Sequence, residues 1–394
     1  MSTIPFGITQ QRKQYQAAYK QFLLDYPQYA DTAILDEERK KEYSRFDKEH
    51  LINLDNVGSA PYPAVLVKQL AAFLVGNSLA NPHSVNKASA RATNLIKEAR
   101  RSLLGFFNAP PKMKVIFASN ASTALMVLDN FPFAPEMTFI VSDDTHNSVG
   151  GLGLAAKEKG AAVRRVPAEE IPAALQRHKG NPGVLCYTLQ SNATGTQYPR
   201  EWIKMAQERG WIVMVDAAAF VGTNEFNLSD GPCPDAFVGS LYKLCGHPTG
   251  IGFLVLSEEL LAKLQLTRYT GGSVDLVSIK GDWFVPAEGE AAFEYGTPNF
   301  TGLPGVKMGL EYLQKIGMKT IHTRVYSLAE WLRGEAAKLT HSNGGPIVRL
   351  YQTKDAARRG GTVACSLLRP DGSLVDERLV QNLATEWGFI IRTG

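Results

Sequence analysis

Six short runs rich in apolar residues, with no regular polar alternation, limit the folds open to this chain: KVIFAS (114–119), TFIVSDD (138–144), GVLCYTLQ (183–190), WIVMVDAAAF (211–220), DAFVGSLY (235–242) and GIGFLVLS (250–257). A strand with one face in water alternates, whereas a strand covered on both faces does not. Cover on both faces marks a mostly parallel sheet sandwiched between helices. Helix-like stretches such as PREWIKMAQERG separate the runs, so the expected fold class is α/β with a mostly parallel sheet.

The texture divides the 394 residues into three parts. Residues 1–50 read as a helical N-terminal arm, with QYQAAYKQFLLDY placing aromatic and apolar residues at helical spacing. Residues 51–300 hold the strand and helix alternation of a large domain. Residues 301–394 read as a smaller α+β domain, in which a long helical stretch leads to the strand-like GPIVRLY, GGTVACSLLRPDGS and WGFIIRTG.

Composition narrows the function classes. Apolar residues make up 44% and charged residues 20%, which excludes a disordered or fibrous chain. A formal charge of +4, spread rather than striped, argues against a nucleic-acid partner. No run of about eighteen uncharged apolar residues occurs, so no membrane span is expected. MSTIPFGITQQRKQ lacks the apolar centre of a secretory signal, and the basic cluster EERKKE (37–42) reads as a solvated helix face. Cys186, Cys233, Cys245 and Cys365 are far apart with no C-x-x-C pair, which fits a reducing, cytoplasmic setting.

In a doubly wound sheet, ligands sit beyond the carboxyl ends of the strands. The first informative end is VIFASNASTALMVL, where Ser119, Asn120, Ala121, Ser122 and Thr123 lead straight into a helix. Such a start can hold a phosphate or simply cap the helix. The second is Asp216, at the end of IVMVDAAAF; a buried carboxylate needs a cation or several hydrogen bonds, so it pairs with a core arginine, caps the next segment or meets a protonated ring nitrogen. The third is Lys243 of SLYKLCGHPTG, an amine among apolar neighbours, where desolvation would favour the nucleophilic free base. A phosphate cradle, a carboxylate for a pyridinium and an amine for an aldehyde are together what pyridoxal phosphate requires. His146 of DDTHNSVGG is either structural or a flat ring able to cover a cofactor and move protons.

Other patterns carry less. GGLGLAAKEKG looks superficially like a dinucleotide fingerprint, but no convincing βαβ unit with a suitably spaced acidic residue is expected there. RRGGT reads as a turn before a strand. Cys245 lies near the lysine, and burial as a small apolar residue is its expected role.

These stretches, together with LDNVGSAPYP, NPHS, EARRSLLGFFNA, LQSNATGTQYPREWI, FEYGTPNF, IGMKTI and RPDGS, resemble the class V, cysteine desulfurase-like branch of the fold-type I pyridoxal phosphate enzymes. Within it they are most similar to the N-terminal domain of molybdenum cofactor sulfurases. The resemblance implies a pyridoxal 5'-phosphate-dependent transferase with Lys243 as the Schiff-base lysine and Asp216 as the acid at the pyridine nitrogen. It further implies His146 stacked on the ring, Asn192 near the phenolic oxygen, and Ser122, Thr123 and Ser240 in the segments that hold the phosphate. Thr297 of YGTPNF would reach the phosphate of a neighbouring subunit, which implies a homodimer.

Two departures follow from the same resemblance. The residue before the lysine is Tyr242, as in the sulfurase branch, where cysteine desulfurases usually have histidine. The family pattern continues after Arg-Thr-Gly with a cysteine-rich loop that accepts sulfur, and the sequence in hand is read as lacking that loop. Expected activity is therefore that of a cysteine desulfurase-like enzyme acting on L-cysteine or a related amino acid. The alternatives are a pyridoxal phosphate lyase, decarboxylase or aminotransferase, or a catalytically silent homologue.

Overall fold

The computed structural model describes residues 8–82, 84–178 and 183–394. Residues 1–7 of the expected arm and His83 of NPHS lie outside the described residues. A short strand β1 (Ile52–Asn53) precedes β2 (Met113–Ala118), β3 (Thr138–Ser142), β4 (Ala162–Val166), β5 (Val184–Thr188), β6 (Ile212–Asp216), β7 (Ala236–Ser240) and β8 (Gly252–Ser257). Strands β2 to β8 form one seven-stranded sheet in the order β2-β8-β7-β6-β5-β3-β4. Strand β8 runs antiparallel to both neighbours, and β7, β6, β5, β3 and β4 are mutually parallel. Fold-type I α/β architecture is thus present, with every residue of β3, β5, β7 and β8 buried.

Strand pleating divides the core. Ile140 packs into one hydrophobic cluster, beside Leu103, Phe107 and Trp211, while its neighbours Phe139 and Val141 enter the cluster on the opposite face with Leu125 and Leu152. Phe107 sits edge-on to Phe237 at 5.1 Å between ring centroids and is 1% exposed; its truncation to alanine would cost about 3–5 kcal/mol. Strand β4, AVRRV, is the sheet member that the apolar runs did not reveal. It lies at the edge with Arg164 and Arg165 exposed, so it never needed the apolar pattern of a central strand.

Five of the six expected runs overshoot their strands because the chain turns out of the sheet there; GIGFLVLS instead starts two residues before β8 and ends with it at Ser257. DAFVGSLY, for example, stops as a strand at Ser240, and Leu241–Leu244 forms one helical turn, placing Lys243 beyond the strand end. A βαβ unit does follow TFIVSDD, contrary to expectation: β3, the helix Asn147–Glu158 and parallel β4. The glycines of GGLGLAAKEKG still form no phosphate turn, since Gly150, Gly151 and Gly153 lie inside that helix, and a Cβ on Gly153 would touch Phe139 at 3.6 Å.

Strands β9 (Val274–Ser278) and β10 (Trp283–Pro286) form a hairpin. Strands β11 (Val348–Tyr351) and β12 (Ala364–Leu367) pair with each other, while β13 (Phe389–Ile390) pairs in parallel with β1. The N-terminal helices lie against the helix Met318–Ala337. Arg324 of that helix donates to Asp36 Oδ1 at 2.8 Å and to the Thr32 carbonyl at 2.7 Å, and stacks 4.2 Å above the Tyr29 ring. No described helix is long and apolar enough to cross a membrane.

Candidate active site

Segments following β2, β3, β5, β6 and β7 open on one cavity of about 580 Å³. Ser122, Thr123, His146, Asn192, Asp216 and Lys243 all line it, although they come from five separate stretches of sequence. Strand register explains part of this convergence: Thr188 of β5 is level with Asp216 of β6, so the polar residues after both strands leave the sheet at the same height.

Asp216 is 6% exposed, and its Oδ1 accepts one hydrogen bond, from the Ala218 N–H at 2.9 Å. No ion pair to arginine or lysine neutralises it among the described residues, so the core-arginine alternative for this carboxylate falls away. Burial raises its carboxyl above the ordinary range, opposed by the Ala218 N–H and by the charges of His146 and Lys243. Burial likewise pulls the Lys243 amine below its usual value, and Asp216 opposes that shift. Arg392 lowers the amine further and Asp55 raises it. The site therefore offers a carboxylate short of a cation and an amine biased towards its nucleophilic form.

At the end of β2, Asn120 caps the helix Ala121–Val127. Its Oδ1 accepts from the Thr123 N–H at 2.9 Å, and its own N–H donates to Thr123 Oγ1 at 3.0 Å. The Thr123 hydroxyl is thus already engaged in the cap. Ser122 is exposed to the cavity and pairs through Oγ with Ser148 Oγ at 2.6 Å. Ser148 Oγ in turn lies 2.9 Å from His146 Nδ1, which also accepts from the Ser148 N–H at 3.2 Å. With Nδ1 accepting, the neutral imidazole carries its proton on Nε2.

Ser240 does not line the cavity; it is fully buried, and its hydroxyl has no partner among the described residues. Ser142, at the end of β3, has a second buried hydroxyl without a partner among the described residues. An uncompensated carboxylate, a shifted amine and the Ser122 hydroxyl on one cavity fit pyridoxal phosphate, whose ring nitrogen, aldehyde and phosphate would engage such groups, whereas the buried Ser142 and Ser240 hydroxyls lie outside the lining. Thr297 also lies outside the cavity of its own chain: it is exposed and accepts from Asn81 Nδ2 at 3.3 Å.

The sequence reading missed Thr188, Gln190, Ser148 and Thr249, which also line the cavity. Thr188 Oγ1 donates to the Gln190 carbonyl at 2.7 Å and contacts the Asp216 carbonyl at 3.2 Å. Their signal was position alone: Thr188, Gln190 and Ser148 end or follow apolar runs, and Thr249 directly precedes one. None of the four cysteines lines the cavity. Cys245 is 4% exposed, and burial pushes its thiol up to about 12, as befits a small core residue.

Comparison with known proteins gives consistent results. The Aminotransferase class-V family profile matches residues 52–394. Molybdenum cofactor sulfurase of Solanum lycopersicum is 30% identical over 421 residues, covering 95% of this chain and 51% of its own. The chain spans about half the length of the curated relatives it matches. A cysteine desulfurase from Thermococcus onnurineus NA1, solved in its apo form, has a TM-score of 0.77 at 24% identity, covering 91% of this chain and 87% of that one. A mutant of C-DES with glycine covalently linked to its PLP cofactor has a TM-score of 0.71 at 20% identity, covering 86% and 88% of the two chains. At these identities the structural likenesses show a shared fold.

Proposed function

The chain belongs to the aminotransferase class-V family, and from that membership we propose that it is a pyridoxal 5'-phosphate enzyme of the cysteine desulfurase-like group, acting on L-cysteine or a related amino acid. The observation that carries this reading is that Asp216 and Lys243, at the ends of adjacent parallel strands, face one cavity with burial shifting both.

When bound, the cofactor supplies an electron sink for charge developing at the substrate Cα. Lys243 is the residue that would hold it, and its amine would take and return the Cα proton. Asp216 would hold the ring nitrogen protonated and so gain the cation that its burial demands. His146 would cover the ring, and Asn192 would lie near the phenolic oxygen. Ser122 presents a hydroxyl to the phosphate, with Thr123 and Ser240 shaping the segments around it. In a homodimer, Thr297 serves the phosphate of the neighbouring subunit. Residues 51–300 act as the cofactor-binding domain and 301–394 as the smaller domain.

A second reading is a carbon–sulfur lyase, favoured by the fold shared with C-DES, a cystine C-S lyase. A lyase needs no protein thiol to accept sulfur. Products separate the two: protein reconstituted with pyridoxal phosphate is given L-cysteine and a thiol acceptor. Alanine with sulfur on the acceptor supports the desulfurase reading, and pyruvate supports the lyase. Turnover of neither kind, unchanged in Lys243→Ala, would refute both.

A further inference from the structure

Gln190 stands two residues beyond β5, is 3% exposed and lines the cavity, yet it was singled out by no motif. Its orientation is dictated from outside the cavity, starting at Asn224. Asn224 Nδ2 donates to the Phe220 carbonyl oxygen at 2.9 Å, and a carbonyl oxygen can only accept, so that end of Asn224 is its amino group. The Asn224 Oδ1 consequently accepts, from His322 Nδ1 at 3.0 Å and from Gln197 Nε2 at 3.0 Å. Gln197 thus presents its amino group, and the Gln190 atom 3.0 Å from it has to be the acceptor Oε1. Asn224 Nδ2 makes a second, longer contact to that oxygen at 3.5 Å.

Gln190 Oε1 is thereby committed to two donors, and Gln190 Nε2 has no acceptor among the described residues. That amino group is not sealed in the core, and Gln190 lines the cavity, so a ligand oxygen arriving there is its natural partner.

The RRGGT segment, read as a mere turn, forms the other half of the clamp. Gln197 N–H donates to the Arg358 carbonyl at 2.7 Å, Gly360 N–H donates to the Gly195 carbonyl at 2.8 Å, and Arg333 Nη2 donates to the Gly360 carbonyl at 2.8 Å. A Cβ on Gly360 would lie 2.3 Å from Gln190 Oε1, so only glycine lets the segment close on that amide.

We propose that Gln190 donates its free N–H groups to an anionic oxygen of the bound cofactor or substrate, and that Gln197, Asn224 and the Arg358–Gly361 segment hold it in that orientation. This rests on the pyridoxal phosphate reading above. Two oxygens have the required chemistry, the cofactor's phenolic oxygen and the substrate's carboxylate.

Reconstituted wild-type protein is compared with Gln190→Leu, which removes the donor, and Gln190→Glu, which places a carboxylate there. If the partner is the phenolic oxygen, the visible spectrum shifts without substrate, and cofactor affinity falls about tenfold or more. If it is the substrate carboxylate, the resting spectrum is unchanged and KM rises about tenfold while kcat stays within about twofold. Gly360→Ala should move the same readout in the same direction with the donor retained, and it stands in if Gln190→Leu does not fold. The inference is overturned if the folded variants keep the wild-type spectrum, cofactor affinity and KM. Wild-type protein with no visible cofactor absorbance would instead sink the pyridoxal phosphate reading itself.

Discussion

Arg392 and Asp55, 337 positions apart, form a two-pronged ion pair, Nε to Oδ1 at 3.1 Å and Nη2 to Oδ2 at 2.9 Å. The pair follows directly from the β1–β13 pairing and brings two opposite charges to bear on Lys243. Arg392→Ala removes the charge that lowers the amine and releases the one that raises it, so the Lys243 amine rises. Its covalent reaction with pyridoxal phosphate should then slow at neutral pH, with the pH–rate profile moved upward. Asp55→Asn should move it downward. Because Arg392 is largely exposed, solvent screening keeps the rate changes to within about tenfold. Profiles that coincide with the wild type would contradict this coupling.

Asp216 predicts opposite effects on the protein with and without cofactor. Its folded-state pKa is raised, so its favourable contribution to stability is present below the unfolded value and is lost as pH rises through the folded value. At neutral pH, well above the unfolded value, the buried group is therefore a burden on the cofactor-free protein. Asp216→Asn should therefore melt at a higher temperature than wild type without pyridoxal phosphate, yet bind it about tenfold or more weakly. Thermal melts with and without cofactor check both halves, and a variant less stable in both states would refute the sign.

Gly252→Ala tests the link between fold and phosphate end. A Cβ there would lie 2.1 Å from the Asn120 carbonyl carbon, a backbone atom at the helix cap that cannot swing away. The substitution should cost about 2 kcal/mol or more in denaturant unfolding and weaken phosphate-ester binding. A neutral outcome would mean that the cap is looser than its hydrogen bonds imply.

Arg100 and Glu294 form a largely buried ion pair at 2.8 Å, with Glu294 Oε1 also accepting from the Phe117 N–H at 2.8 Å. Removing Arg100 strands the carboxylate, so Arg100→Ala should cost about 3–5 kcal/mol at neutral pH. Burial already raises the Glu294 carboxyl, and loss of Arg100 would raise it further, so the deficit should shrink as pH falls and Glu294 takes up a proton. Chemical denaturation at several pH values checks this, and a pH-independent deficit would assign the effect to packing alone.

The central strands were legible because burial on both faces leaves an unbroken apolar signature, and Asp216 and Lys243 stood out as charges that such strands should not end in. Strand β4 was hidden because an edge tolerates Arg164 and Arg165. Gln190 was hidden for a different reason. Its environment is built by Asn224, His322 and Gly360, so the orientation of its amide depends on partners that only the tertiary fold brings together. Thr123 shows the converse: a residue type suited to phosphate has its hydroxyl already spent on a helix cap.

Lys243 as the covalent attachment point is the centre of the account, and borohydride reduction of the pyridoxal phosphate-loaded protein followed by peptide mass mapping tests it most directly. The account predicts a single dominant phosphopyridoxyl mark on Lys243, absent from Lys243→Ala. Marks scattered over surface lysines, with Lys243 unmodified, would contradict it.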